Sequence, residues 1–234
     1  MKTLSFFTAS LLLCVSAGAK DQPTTRGIID PEKVGKPEGA VQLVGEKGHD
    51  LIPDGVGTPK WEFKDGVLTA SPKWDSLLTK EAYGDFRMHV EFNVNKKENP
   101  KNRESDGNSG IYIQQRYELQ ILNSFGVPEE EYKASYCGSL YKLKKPDRIV
   151  CKKAGEWQTY DIAFRAARFK DGEKTENARI TVYHNGELIH DDFAFPRKTG
   201  AGKKEGPEPM QIKLQGHDNP VKFRNIWIEK LNLD

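Results

Sequence analysis

The sequence lacks an excess of either charge, and it lacks an apolar run long enough to cross a bilayer. Its 36 lysine and arginine residues nearly balance 34 aspartate and glutamate residues, which leaves a formal net charge of +2. A near-neutral chain has no strong field to attract phosphate backbones. The apolar run Leu4–Val15 is shorter than the roughly 20 residues that a membrane helix needs. We therefore expect no nucleic-acid partner, and no membrane partner for the mature chain.

The N-terminal residues have the pattern of a secretory signal peptide. Lys2 supplies a positive charge, an apolar run follows, and Ala17 and Ala19 are the small residues that a signal peptidase recognises. We predict cleavage after Ala19 and a secreted or periplasmic protein. The chain is thereby divided into a signal peptide, a polar N-terminal tail and one domain: residues 1–19, 20–40 and 41–234.

Cysteine is scarce, with three residues in the chain. Cys14 belongs to the predicted signal peptide, and Leu13 before it is not the small residue that lipid attachment requires. Cys137 and Cys151 remain, and an even pair in an exported protein favours a disulfide over two buried thiols. We predict that disulfide, which would close the loop 138–150.

No segment shows the sustained 3.6-residue apolar period of a long helix. The clearest pattern is strict alternation over residues 86–94, where the apolar residues are Phe86, Met88, Val90, Phe92 and Val94. Such alternation predicts a strand with one buried face. Further short strands are predicted at 110–114, 116–122, 158–164, 179–190, 211–215 and 221–231.

Turn residues and a change of phase complete the strand prediction. Asp65-Gly66 and Asn185-Gly186 are typical of tight hairpin turns. In the last strand the apolar phase changes between Phe223 and Ile226, so we predict a β-bulge at Arg224-Asn225. Many short strands indicate a sandwich or a barrel. The number of strands and the broad polar faces favour an all-β jelly-roll sandwich of two antiparallel sheets.

Polar and aromatic side chains recur on the predicted outward faces of the strands. Acids, amides, imidazoles and aromatic rings are the groups that bind sugar hydroxyls and ring faces. We expect a curved sheet face to hold a carbohydrate, and the loop 95–107 is a candidate lid. The candidate residues on that face are His89, Glu91, Tyr112, Gln114, Glu118, Gln120, Gln215 and His217.

Five segments in this order resemble the 3-keto-disaccharide hydrolase domain family: GNSGIY at 107–112, YELQIL at 117–122, GEWQTYDI at 155–162, LQGH at 214–217 and VKFRNIWI at 221–228. The resemblance extends over residues 41–231. It implies a concanavalin A-like jelly roll that acts on glycosides oxidised at C3 of the sugar. For some members it also implies cleavage by elimination and a bound divalent metal ion. Neither the resemblance nor the sequence indicates an organic cofactor.

The strand at 117–123 lacks the paired acids of related glucanases. Enzymes of the laminarinase type carry Glu-x-Asp-x-x-Glu on one strand, and these positions here are Glu118, Gln120 and Asn123. Retaining hydrolysis needs a nucleophilic carboxylate opposite an acid carboxyl group. Ordinary glycoside hydrolysis is therefore disfavoured, unless Glu91 serves as the second acid.

A 3-keto substrate requires only one base, because the ketone acidifies the C2 proton. We expect Glu118 or His217 to be that catalytic base. His89, Gln120 and Gln215 would position the substrate, and the candidate metal ligands are Glu118, Gln120 and His217. The alternative is a non-catalytic carbohydrate-binding module of the same fold, and a structural or adhesive protein ranks last. The sugar, the linkage, the metal and the oligomeric state stay open.

Overall fold

The computed structural model describes residues 24–33, 35–57, 59–71, 73 and 75–234. The predicted signal peptide and its cleavage site lie outside these residues. Within them, no helix has the length and apolar character needed to cross a membrane.

The described residues form short strands and two single turns of 3-10 helix, at Arg103–Ser105 and Glu129–Glu131. The strands are β1 (Val41–Gly45), β2 (Gly48–His49), β3 (Leu51–Pro53), β4 (Glu62–Lys64), β5 (Val67–Thr69), β6 (Leu77–Thr79), β7 (Phe86–Asn93), β8 (Ser109–Ile113), β9 (Tyr117–Ile121), β10 (Gln158–Arg165), β11 (Arg168–Lys170), β12 (Glu173–Glu176), β13 (Arg179–His184), β14 (Glu187–Ala194), β15 (Lys213–Leu214) and β16 (Lys222–Lys230).

The strands build two antiparallel sheets, which confirms the predicted all-β sandwich. The large sheet has the order β14-β13-β10-β7-β16-β1-β2, and the β4–β5 hairpin joins it through β16. The small sheet has the order β3-β6-β15-β8-β9. The pair β11–β12 forms a separate ribbon. Several neighbours in both sheets, such as β7 with β16 and β6 with β15, are distant in sequence, as expected of a jelly roll.

Alternation along the strands explains where the core lies. On β7 the predicted inward side chains Phe86, Met88, Val90 and Phe92 are all buried. Their counterparts on the small sheet are Ile111, Ile113, Tyr117, Leu119 and Ile121. The rings of Tyr117 on β9 and Phe164 on β10 lie 5.6 Å apart and join the two sheets. Every second side chain of β9 must therefore point away from the core.

The predicted bulge is present in β16. The register against β7 shifts between Arg224 and Trp227, and Asn225 has a φ of 44°. Glu91 on β7 holds both bulge residues, since Arg224 Nε donates at 2.6 Å and Asn225 Nδ2 at 2.9 Å. The extra residue lets Phe223 and Ile226 both reach the core.

Irregular segments pair with the free edge of β9. Leu140 forms a bridge with Leu119, and the backbone N–H of Tyr141 donates to the carbonyl oxygen of Glu118 at 3.0 Å. The backbone N–H of Glu118 in turn donates to Thr199 Oγ1 at 2.8 Å. This strand edge is therefore sheltered, and its outward side chains lie at the bottom of a cavity.

The predicted disulfide is not formed, because Cys137 and Cys151 are both free thiols. Each sulfur lies 3.2 Å from a phenol oxygen, Cys137 from Tyr160 and Cys151 from Tyr132. Both sulfurs and a ring nitrogen of His184 lie within 4.8 Å of one another. Hydrogen bonding thus satisfies the buried thiols without a covalent bond.

Candidate active site

A cavity of about 380 Å³ opens on the outer face of the small sheet. That volume suits a small ligand such as one or two sugar rings. Strands of the small sheet form its floor, and loops form its walls. Its lining residues are Asn102, Glu104, Ser105, Asn108, Tyr112, Glu118, Gln120, Tyr141, Ala201, Gln215 and His217.

The register between β8 and β9 brings the floor residues together. Tyr112 pairs with Glu118, and Gly110 pairs with Gln120. Gln215 follows β15, and its backbone N–H donates to the carbonyl oxygen of Gly110 at 3.0 Å. Because these strands are neighbours and the residues share one face, an acid, a phenol and two amides meet on the floor.

Three oxygen atoms on this floor are buried and have no hydrogen-bond partner: Glu118 Oε2, Gln120 Oε1 and Gln215 Oε1. The other ends of the amides are held, since Gln120 Nε2 donates to Ser135 O at 3.2 Å and Gln215 Nε2 to Tyr112 Oη at 3.4 Å. Leaving a buried acceptor unpaired costs about 1–3 kcal/mol. The floor therefore presents acceptors to a ligand that brings hydroxyl groups or a cation.

Burial sets the electrostatics of Glu118, which is 2% exposed. Loss of water raises the pKa of its carboxyl group to about 7, although a hydrogen bond with Tyr112 and the charge of Lys213 act in the opposite direction. The Lys213 ammonium group lies 4.5 Å from the centre of the Tyr112 ring. A carboxyl group with this pKa can hold or release a proton near neutral pH, as a general base must.

The walls add an imidazole and a second carboxylate. Burial lowers the pKa of the half-buried His217, which favours its neutral form. Glu104 lies in the 3-10 turn before β8, and Tyr141 Oη donates to Glu104 Oε2 at 3.3 Å. The negative charge of Glu104 contributes to the raised pKa of Glu118.

The structure brings together most of the predicted site residues. Tyr112, Glu118, Gln120, Gln215 and His217 all line the cavity. The remaining predicted residues, His89, Glu91 and Gln114, are not among them.

His89 and Glu91 lie on the outer face of the large sheet, on the opposite side of the sandwich. His89 Nδ1 is 2.6 Å from Asp161 Oδ1, and its ring stacks on Trp227 with the centroids 5.6 Å apart. Glu91 is bound to the bulge residues of β16. The prediction that both residues share the carbohydrate-binding face was wrong. Alternation identifies the outward face of a strand but not the sheet to which the strand belongs. Glu91 is thus no second acid for Glu118.

Gln114 belongs to the hairpin turn between β8 and β9 rather than to the strand. Gln114 and Gln115 have φ values of 50° and 53°. The side chain of Gln114 is held at both ends, since its Nε2 donates to Tyr83 O at 2.8 Å and its Oε1 accepts from Arg116 Nη1 at 3.0 Å. The strand ends one residue earlier than predicted, which turns this side chain away from the cavity.

Sequence reasoning missed Tyr141 and Glu104 as lining residues. Tyr141 lies in an irregular segment with no apolar period, and it reaches the cavity because Leu140 bridges to β9. Glu104 belongs to the loop 95–107, which the sequence analysis named as a candidate lid. That prediction was the signal that pointed to this segment.

The donor set of the floor fits the divalent metal ion that the family resemblance implies. Calcium and magnesium are bound by carboxylate and amide oxygens. Glu118 Oε2, Gln120 Oε1 and Gln215 Oε1 are such atoms, buried and unpaired. Glu118 and Gln120 are predicted metal candidates, and His217 lines the same cavity.

A larger groove of about 860 Å³ lies at the edge of the large sheet, beside the β1–β2 hairpin and the bulge. Its lining residues are all partly or fully exposed, and the charge of Arg224 among them is held by Glu91. It lacks buried acceptors of the kind found around Glu118. The smaller cavity is therefore the candidate active site.

The protein belongs to the class of sandwich-type proteins that act on carbohydrates, with hydrolase-like function. The chain belongs to the family of 3-keto-alpha-glucoside-1,2-lyase-like domains, whose model matches residues 46–229. This confirms the family resemblance drawn from the five segments. Among curated proteins, none matches the chain.

Solved structures agree with this assignment. Three are crystal structures of a "putative glycosyl hydrolase" from Parabacteroides distasonis. One is 32% identical, with 83% of this chain and 85% of that chain covered and a TM-score of 0.73. A second is 25% identical, covering 82% and 99% of the two chains, with a TM-score of 0.55. The third, 17% identical with 82% and 89% covered and a TM-score of 0.55, shares the fold.

Proposed function

We propose that the protein cleaves the glycosidic bond of 3-keto-glycosides by elimination followed by addition of water. The observation that carries this proposal is Glu118, a buried carboxyl group with a pKa raised to about 7, placed among unpaired amide oxygens. No second acid lies beside it on β9, where Gln120 and Asn123 take the positions of the acids in related glucanases. One base is sufficient for this chemistry.

The C3 ketone makes the C2 proton of the substrate acidic. Glu118 takes that proton, and the electron pair of the C2–H bond enters an enolate. The enolate collapses, the C1–O bond to the aglycone breaks, and a C1=C2 double bond forms. Water then adds, with hydroxide at C1 and a proton at C2, so the net reaction is hydrolysis.

The remaining cavity residues supply binding and proton transfer. The Gln120 and Gln215 oxygens accept hydrogen bonds from sugar hydroxyls, which orients C2 toward the carboxylate. The proton that Glu118 has taken passes to the departing oxygen. Neutral His217 in the wall accepts a proton from the incoming water and returns it at C2. A bound divalent cation would stabilise the negative charge on the enolate oxygen. Glu118, Gln120 and Gln215 are the residues placed to hold it.

Glu104 supports a second candidate function, hydrolysis of unoxidised glycosides by two carboxyl groups. Glu104 and Glu118 line the same cavity, and the charge of Glu104 raises the pKa of Glu118. Such a pair would divide into an acid and a nucleophile or base. It would not need a ketone at C3.

A substrate comparison tests the proposal. Purified mature protein is offered 3-keto-trehalose and 3-keto-lactose beside the unoxidised sugars, with and without EDTA, and released sugar is measured. We expect release from the keto forms alone. Release from the unoxidised sugars would favour the two-carboxylate mechanism. Saturable binding without any release would identify a carbohydrate-binding module instead.

A further inference from the structure

A second cluster of chemically active side chains lies between the sheets, outside the catalytic cavity. It consists of Cys137, Cys151 and His184, whose ligand atoms lie within 4.8 Å of one another. The described residues hold one group of three or more histidine, cysteine or acidic side chains that lie close enough to share a metal ion, and this cluster is that group. Cys137 and His184 are each 1% exposed, and the proposed function uses none of the three.

We propose that Cys137, Cys151 and His184 bind one thiophilic divalent cation of the zinc class. Two sulfurs and one imidazole nitrogen are the ligand types that zinc prefers. In a tetrahedral site with bonds of about 2.0–2.3 Å, ligand atoms lie roughly 3.4–3.8 Å apart. The cluster therefore needs to contract by about 1.4 Å at most, which side-chain rotation can supply.

The hydrogen bonds of His184 orient it as a ligand. Its Nε2 lies 2.9 Å from Gln158 Oε1, which also accepts from the backbone N–H of Lys152 at 3.0 Å. That oxygen is an acceptor, so His184 Nε2 carries the proton and Nδ1 keeps its lone pair. Nδ1 is the nitrogen near Gly138, the neighbour of Cys137. Metal-binding histidines are typically held in this way, by a hydrogen bond from the nitrogen that does not bind.

Charge and protonation also suit a metal site. The His184 ring is 1% exposed and offers the Nδ1 lone pair of an uncharged imidazole, the form in which histidine binds metals. On binding, the two thiols lose their protons to solvent, and two thiolates balance the charge of a divalent cation. The bound site is then neutral, which avoids the cost of an isolated buried charge. No electron transfer takes place.

Tyr132 is the protein candidate for the fourth ligand position of the metal. Tyr132 Oη lies 3.2 Å from Cys151 Sγ and offers a fourth contact.

The cysteines bracket the segment that carries Tyr141 into the cavity wall, whereas His184 ends β13 of the large sheet. Metal binding would therefore fasten a wall of the catalytic cavity to the opposite sheet. This inference does not depend on the proposed reaction.

Cobalt titration of the mature chain tests the site. The protein is stripped with a chelator, kept reduced, and titrated with Co²⁺ while its absorption is recorded. We expect one Co²⁺ per chain, a sulfur-to-metal charge-transfer band, and full displacement by one equivalent of Zn²⁺. Metal bound by the oxygen atoms around Glu118 would give no such band. About two protons should be released per metal ion.

Variants identify the residues that bind the metal ion. The titration of the wild-type protein tests the site even if a variant does not fold. Cys151→Ser and His184→Asn should lose the charge-transfer band, whereas His49→Asn, which removes an exposed imidazole outside the cluster, should keep it. Zinc should raise the melting temperature of wild type but not of Cys151→Ser. A reduced wild-type chain without the band would overturn the proposal. So would a Cys137–Cys151 disulfide in protein alkylated at cell lysis.

Discussion

Glu118 and Gln215 meet above the backbone of Gly110. A β-carbon on Gly110 would lie 2.8 Å from Glu118 Oε1 and 3.3 Å from Gln215 Oε1. Glycine at this position therefore lets the carboxylate and the amide oxygen share one small space. The close approach ties the shape of the cavity floor to a single residue of β8.

Replacing Gly110 with alanine should displace Glu118, because real β-carbons essentially never approach another atom as closely as 2.8 Å. We expect kcat/KM on a 3-keto-glycoside to fall at least tenfold, and the free energy of unfolding to fall by about 1–3 kcal/mol. Gly84→Ala is the matched control, since a β-carbon there meets nothing within 4 Å. Equal activity in the two variants would show that the geometry at Gly110 is unimportant.

Replacing Glu118 with glutamine removes the proposed base and keeps the volume of the side chain. We expect kcat to fall by about 10²–10⁴-fold, the usual contribution of a general base. Binding of the substrate should persist, because the amide keeps one acceptor oxygen. The exposed Glu130→Gln is the control for the loss of one acid. Full activity in Glu118→Gln would remove Glu118 from the mechanism.

Stability should depend on pH through Glu118. Its pKa is raised from 4.5 to about 7 in the folded state, so folded protein binds more protons than unfolded protein between these values. The free energy of unfolding should therefore fall as pH rises from about 4.5 to 7, by about 3 kcal/mol from this group. Urea unfolding at several pH values measures the slope. Glu118→Gln should lack this contribution, and Glu130→Gln should retain it.

Activity should change in the opposite direction across the same range. The proposed base must be ionised, so kcat/KM should rise with pH through an apparent pKa near 7. A rate that falls as pH rises through 7 would assign Glu118 the role of an acid instead.

Replacing Glu91 with alanine separates structure from catalysis. Glu91 binds Arg224 and Asn225 at the bulge, on the side of the sandwich away from the cavity. We expect a loss of about 1–3 kcal/mol in the free energy of unfolding and no change in kcat. Denaturant titration and the substrate assay measure the two effects. A large loss of kcat in folded Glu91→Ala protein would restore its predicted role as an acid.

Local patterns in the sequence predicted the strand β7 and the bulge in β16. Alternation over 86–94 identified the buried face of β7, and the change of phase between Phe223 and Ile226 identified the bulge, because both depend on residues close in sequence. Alternation cannot assign a strand to a sheet. His89 and Glu118 both point outward, yet they do so from opposite sides of the sandwich.

The walls of the cavity were harder to predict than its floor. Glu118 and Gln120 lie on one strand, so their common face follows from their spacing. Tyr141 reaches the cavity through the bridge of its neighbour Leu140 to β9, and no sequence period encodes that contact. The raised pKa of Glu118 also depends on burial by these segments, which is a property of the tertiary structure.

Exchange of the C2 proton tests the central claim most directly. A 3-keto C-glycoside has no leaving oxygen at C1, so it can lose and regain the C2 proton but cannot be cleaved. In deuterated water, wild-type protein should incorporate deuterium at C2, as measured by NMR, and Glu118→Gln should do so at least a hundredfold more slowly. Cleavage of 3-keto-glycosides by a wild-type protein that exchanges no C2 proton would contradict the account.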